Sequence, residues 1–272
     1  MRASEIAEFL GSELIGKDIE ITGICSLKNP KENHLGFYRF DQSLIISCLD
    51  KGLNSIAEMT FLIKPGVPCN CASYIPVDNP RLAHARVTQE FFAKPYSVML
   101  HLSPPGTHVY DCVNWGDDCH FKPGAVIGGS GFGFENDEDG VPIRRPHVGG
   151  VVIGNNVEVG ANSVIDRGTI DDTIIKDNVK IDNLVHISHN CKIGENTKIV
   201  AGSVICGSVT IGKNCWIGAN VTVMNQITIG NNVTIGIGAV VVKDVSDGAV
   251  LAGFKAQPIE VMKQITKDIE NG

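Results

Sequence analysis

From Ile175 to Val241 every sixth residue is Ile or Val: Ile175, Ile181, Ile187, Ile193, Ile199, Ile205, Ile211, Ile217, Val223, Ile229, Ile235 and Val241. Four residues after each comes a small, β-branched or thiol side chain, from Val179, Val185 and Cys191 through to Ala239 and Val245. Neither a helix period of 3.6 nor a strand alternation of 2 keeps that register; a solenoid with one short strand and one turn per six residues does. Three hexapeptides close a triangular coil, so residues three repeats apart stack on one face. The architecture is settled before composition is considered.

The register marks its own limits. It begins weakly at Val109, runs through Trp115, Phe121 and Ile127, and stops near Ala249. Between Ile127 and Ile153 it is interrupted by GGSGFGFENDEDGVPIRRPHVGG, a Gly-rich, charged loop thrown out of the coil, and it slips again at IDRGTIDDTII, between Ile165 and Ile175. Residues 1–100 read differently, as a small α+β domain. A helix is predicted over Ser4 to Leu14, with Ser4 as N-cap and Gly11 or Gly16 as the stop. Short strands follow at 19–24, 35–40, 44–49, 59–64 and 72–77, and a second helix runs from Pro80 to Lys94. The linker HLSPPGTH leads into the solenoid of residues 101–250, and residues 251–272 form a short C-terminal helix that caps the last coil.

Composition bounds the function. The chain has 272 residues, 43% hydrophobic and 6% aromatic, with a formal charge of -7. That acidity excludes a general binder of nucleic acid or anionic membrane, which needs clustered Lys and Arg. The N-terminal segment carries Glu5, Glu8 and Glu13 where a signal peptide needs an apolar run, and no segment approaches a membrane span, so a soluble, cytoplasmic protein is expected. The nine cysteines have no CxxC pair and read as reduced core thiols, with Cys119, Cys191 and Cys215 at the inward position; Cys69 and Cys71 are the one pair worth testing for metal.

Chemistry is expected where the repeat is broken. KIDNLVHISHNCKIG gathers Asp182, Asn183, His186, His189 and Asn190 among coils otherwise built from Gly, Thr, Asn and Lys. His189 suits a general base, because an amine or hydroxyl attacking a thioester must lose a proton and an imidazole titrates near neutrality. Asp182, across one corner, is expected to hold that imidazole. Solvated surface histidines are the competing reading.

GGSGFGF, VIDRGTIDDTII and IDNLVHISHN, together with ITGICSL and VDNPRLAHARV in the N-terminal domain, resemble the signature segments of the UDP-3-O-(3-hydroxyacyl)glucosamine N-acyltransferases of lipid A synthesis. The resemblance implies a left-handed β-helix, a homotrimer, and a general base at His189 with Asp182 and Asn190 beside it. It also implies a substrate site: Phe37 stacks the nucleobase, while the second stacking aromatic of the family falls at Ser43. Tyr38 or Phe40 substitutes there, or belongs to ordinary strand core. The second functional histidine of the family falls at Gln226.

Further departures redirect the substrate. The family has more coils before the GFGF loop and a longer basic C-terminal segment that recruits acyl carrier protein. Here Lys255, Lys263 and Lys267 balance Glu260, Asp268 and Glu270. Acyl-CoA with a short 3-hydroxyacyl chain is therefore the expected donor. The shortened chain also resembles the dTDP-aminosugar N-acyltransferases of anthrose synthesis. The expected reaction moves the acyl group to the amine of a dTDP- or UDP-linked amino-deoxy sugar, for surface polysaccharide or glycoprotein glycans. Gly131, Phe132, Gly133 and Phe134 would wall the cleft, with His186, Asn225 and Gln226 on substrate. Ala219, Gly236, Gly238 and Lys243 would line the pantetheine groove, although turn geometry alone accounts for such glycines. Three alternatives stand: the lipid A reaction with acyl carrier protein, a zinc enzyme like the γ-carbonic anhydrases, and a non-catalytic scaffold. No metal is expected, since His186 and His189 point to different faces.

Overall fold

The computed structural model describes residues 1–27, 29–38, 58–67, 69, 71–93, 98–99, 106–253 and 261. The expected strand at 44–49, Phe40, Ser43, the linker residues 101–105 and the expected C-terminal helix beyond residue 253, apart from Val261, lie outside the described residues. Leu251, assigned to that helix, instead ends a strand over Val250–Leu251 that continues the coil, because it pairs with the rung at Ile235.

The hexapeptide register becomes a left-handed parallel β-helix. Among the described residues its three sheets hold eight, seven and six strands, nearly all two or three residues long, and all are parallel except Val98–Met99, which pairs antiparallel with His108–Tyr110 at the edge of the first. Strands stack in the order the repeat dictates, so that Lys180 pairs with Lys198, Lys198 with Trp216, and Trp216 with Thr234. All twelve aliphatic positions from Ile175 to Val241 are buried in one continuous core. The small residues four places on fill the corners, where polar ones are satisfied by carbonyls of the next coil: Thr197 Oγ1 donates to Gly212 O at 2.8 Å and Ser203 Oγ to Gly218 O at 2.8 Å.

A third series in the repeat makes the turns. Asn178, Leu184, Asn190, Asn196, Gly202, Ser208, Asn214, Asn220, Gln226, Asn232 and Gly238 all have positive φ, between 54° and 73°. Each immediately precedes an inward corner residue. Asparagine is the side chain that best tolerates this left-handed conformation after glycine. Here it also ladders between coils, Asn196 to Asn214 at 3.0 Å and Asn214 to Asn232 at 3.1 Å.

The described residues of the N-terminal domain form a five-stranded sheet in the order 15–16, 73–76, 60–63, 34–37, 23–24, parallel except for its first strand. Its first helix is Ala3–Phe9, shorter than expected, and Ser4 lies inside it. The exposed amides at its start are taken by carboxylates: Arg2 N donates to Glu5 at 2.6 Å and Ser4 N to Asp18 at 2.9 Å. Gly11, at φ 62°, terminates it as expected. The second helix, Pro80–Val87, has Asn79 as N-cap, its side chain accepting from Leu82 N at 3.1 Å, and passes into a π-helical turn over Thr88–Phe92. Cys69 and Cys71, the pair singled out as worth testing for metal, form a disulfide, which also departs from the reading of the cysteines as reduced; Cys191 and Cys215 are free and buried, and Cys119 is free and half-buried.

Candidate active site

Both interruptions of the repeat face the N-terminal domain, and that domain is fastened to each. The first interruption ends in a hairpin, Phe134–Asn136 against Pro142–Arg144, and it is held by ion pairs from Arg81 to Glu135 and from Arg86 to Glu138. The second leaves a loop at 168–172 whose Asp171 accepts from Ser26 Oγ and, at 2.9 Å, from Asn29 Nδ2. Between domain and coil lies a cleft of about 750 Å³, large enough for a ligand of nucleotide-sugar size. Its lining includes Ser26, Phe37, Tyr38, Thr169, His189, Asn190, Lys192, Asn225 and Gln226.

His189 stands on this cleft with its two ring nitrogens in different surroundings. Nδ1 lies 2.9 Å from Asn190 Oδ1. That amide cannot turn, because its Nδ2 donates to Asp171 O at 2.7 Å while its Oδ1 accepts from Thr169 N at 3.1 Å and Thr169 Oγ1 at 2.9 Å. An oxygen so fixed requires the proton on Nδ1 and leaves the Nε2 lone pair bare, as a general base needs. Two glycines clear space for the ring. A Cβ on Gly207 would lie 2.8 Å from Nε2, and one on Gly131 would lie 3.0 Å from Cδ2.

A second imidazole lies behind the first. His147 is buried, its ring 5.2 Å from that of His189 and edge-on to it. Nδ1 is directed at Arg145 O, 3.1 Å away, and Nε2 has no partner. Burial, then the charge of His189, pulls its pKa down to about 4, so it is neutral at physiological pH. Gly133 makes room for it, since a Cβ there would approach its Cε1 to 2.8 Å.

The sequence-predicted residues divide sharply. His189, Asn190, Asn225, Gln226, Phe37 and Tyr38 share the cleft. Asp182 does not join them: its carboxylate accepts from Asn183 N at 2.8 Å and Ala201 N at 3.2 Å, so within the chain it braces a turn, and Asn190 holds the imidazole instead. His186 faces Asp166, 3.6 Å away, outside the cleft lining. Asp166 is itself buried, which pushes its carboxyl up from the usual carboxylate range against the opposing pull of His186 and His189. Gly131 packs on His189, whereas Phe132 is 84% exposed and Phe134 stacks near it at 5.0 Å under Arg144. Ala219, Gly236, Gly238 and Lys243 lie outside this cleft, where Gly238, in a left-handed turn, donates to Ala219 O at 2.8 Å.

Sequence reasoning missed Thr169, Asp171, Arg81, Arg145 and His147. The signal available was position, since all but Arg81 lie in the two interruptions. Among the described residues no group of three His, Cys, Asp or Glu side chains gathers to hold a metal, and no helix is long and apolar enough to cross a membrane.

The coil and its site define a hexapeptide-repeat transferase: the family model described as bacterial transferase hexapeptide (six repeats) matches residues 172–207 and 208–243, and the hexapeptide repeat of succinyl-transferase matches 190–225. The chain is 41% identical to the UDP-3-O-acylglucosamine N-acyltransferase of Janthinobacterium sp. (strain Marseille), over 76% of this chain and 75% of that one. It belongs to that family. The namesake from Saccharophagus degradans is 57% identical over 86 residues, and there the match spans 32% of this chain and only 23% of the relative. Other relatives likewise match over about a quarter of their own length or less. The UDP-N-acetylglucosamine acyltransferase structure from Francisella novicida aligns over 60% of this chain and 73% of its own, at 20% identity and a TM-score of 0.43, too low to bear on the site.

Proposed function

We propose that the chain is an N-acyltransferase that moves an acyl group from acyl-CoA to the amino group of a nucleotide-linked amino-deoxy sugar. The observation that carries this reading is the fixed tautomer of His189, with its bare Nε2 on a cleft wide enough for the acceptor. The amine nitrogen attacks the thioester carbonyl and the C–N bond forms. His189 Nε2 takes the amine proton, the C–S bond breaks, and the proton passes to the departing CoA thiolate. A backbone N–H of a coil turn stabilises the oxyanion. Asn190 positions the base and stabilises the imidazolium, the role that the sequence alone would assign to Asp182.

The names of the relatives support a nucleotide-linked glucosamine acceptor, and Gln226 in place of the family's second histidine supports a different amino sugar. The balance of Lys255, Lys263 and Lys267 against Glu260, Asp268 and Glu270 leaves that stretch with little to hold an acidic carrier protein, which supports CoA as the donor. The pantetheine arm runs along the coil past Ala219, Gly236, Gly238 and Lys243, in a groove completed by a second subunit of a trimer. Exposed apolar side chains in one column of the coil, Trp216 and Val250, support such an assembly.

Thiol release tests the reaction class. With acetyl-CoA or a 3-hydroxyacyl-CoA present, free CoA should appear only when an amino sugar nucleotide is added, and His189→Ala should abolish it. Release that is independent of the amine, or undiminished in His189→Ala, would overturn the assignment.

A further inference from the structure

Phe37 is the residue that the family resemblance assigns to stacking a nucleobase, but in this chain its ring is already engaged. The Arg145 guanidinium lies over the ring, its Cζ 5.4 Å from the centroid, and the His84 imidazole packs against the same ring at 4.7 Å. Arg145 comes from the first interruption and its backbone is held on both sides: its N donates to Gly133 O at 3.0 Å and its O lies 3.1 Å from His147 Nδ1. The segment that follows the hairpin, fixed on both sides of Arg145, therefore presents this guanidinium to the cleft.

Among the described residues it has no ion pair of its own, since the attracting carboxylate, Glu135, is already paired. Arg81 beside it is paired with Glu135 at 2.5 Å, Asp171 is taken by Ser26 and Asn29, and Asp172 accepts from Gly150 N at 2.6 Å. Among the described residues Arg145 has no ion pair, and its buried Nε makes no hydrogen bond. Burial, and then the like charge of Arg81, pulls even this guanidinium down to about 10 against the opposing pull of Glu135. A desolvated cation with unused donors is costly unless an anion completes it. Its planar fork suits phosphate, and the aromatic platform fixes the plane of the fork.

We propose that Arg145, braced on Phe37, binds the diphosphate of the amino sugar nucleotide, so that this cleft reads the phosphates and not the base. The proposal rests on the nucleotide-sugar reading above and deepens it. Position supports it: Arg145 and His189 line the same cleft, and the sugar carrying the amine is one glycosidic oxygen from the β-phosphate. A phosphate on Arg145 therefore places the sugar in the cleft that His189 lines. With the Phe37 ring occupied, uracil and thymine gain no stacking partner there, and UDP and dTDP should bind alike.

Calorimetric titration of the full chain with UDP, dTDP, uridine and thymidine, in the absence of any acyl donor, tests this. UDP and dTDP should bind with similar affinity, and the two nucleosides far more weakly. Arg145→Gln should weaken both diphosphates by about ten- to a hundredfold, as loss of a charge-assisted fork implies. Arg145→Lys, with charge but no fork, should fall between, and melting curves check that both variants fold. Unchanged UDP and dTDP affinity in folded Arg145→Gln, or uridine binding as tightly as UDP, would overturn the proposal. Because binding is read without turnover, Arg145-dependent binding in a protein that acylates no amine would overturn the acyltransfer reading alone.

Discussion

At His189 the chemistry depends on a neighbour one residue away in sequence. Asn190 is in a left-handed turn at φ 61°, which turns its side chain back toward the imidazole that precedes it. His189→Ala should lower kcat by about 10²- to 10⁴-fold, the usual worth of a general base, with little change in KM. Asn190→Ala should lose much of the same activity and some stability, because it removes both the tautomer lock and a side chain suited to the turn. Asn190→Asp keeps the acceptor and should retain more; equal kcat in all three proteins would refute these roles. The Gly131→Ala methyl, 3.0 Å from His189 Cδ2, should impair turnover with little effect on folding. Of these residues His189 was legible as chemistry and Gly131 as a loop signature. The Asn190 contact was hidden, because spacing along the coil favoured Asp182, whose side chain is used by backbone amides instead.

Among the repeating elements the core and the turns fail differently. Ile205→Ala should cost about 2–5 kcal/mol, because the site is fully enclosed and the coils above and below cannot collapse onto the void. Leu184, exposed and at φ 58°, is a poor occupant of its turn, and Leu184→Asn should raise stability by about 1 kcal/mol in a urea titration. A loss of stability there would contradict the turn series as a left-handed position that favours asparagine. The six-residue register was legible because burial enforces it at every rung; the turn series was less so, since Leu184, Ser208 and Gln226 disguise a position that is asparagine or glycine elsewhere. The interruptions could be located but not folded from sequence, because their contacts run to the N-terminal domain and not along the coil.

The whole molecule works as a coil with a domain latched across its two breaks. Asp171→Ala removes the acceptor of Ser26 and Asn29, and should raise KM for the amino sugar nucleotide more than it lowers kcat, since the cleft loses a wall while His189 stays in place. Burial also builds in an acid sensitivity. His84, at about 3, and His147, at about 4, are neutral in the fold, whereas their ordinary value of 6.5 has the unfolded chain taking up protons as pH falls below it. Their contribution is complete above about 6.5 and declines toward about pH 4 for His147 and about pH 3 for His84, by up to about 1.4 kcal/mol per pH unit for each histidine. His147→Gln should flatten that decline in melting temperature, and an unchanged slope would contradict it. Amine acylation in this cleft, on which the roles of His189 and Arg145 both depend, is tested most directly by product mass spectrometry on a panel of UDP- and dTDP-linked amino sugars, UDP-3-O-acylglucosamine included, with acetyl-CoA and 3-hydroxyacyl-CoAs. At least one sugar nucleotide should gain the mass of one acyl group on nitrogen with wild-type protein and none with His189→Ala; a panel in which no amine is acylated would contradict the assignment.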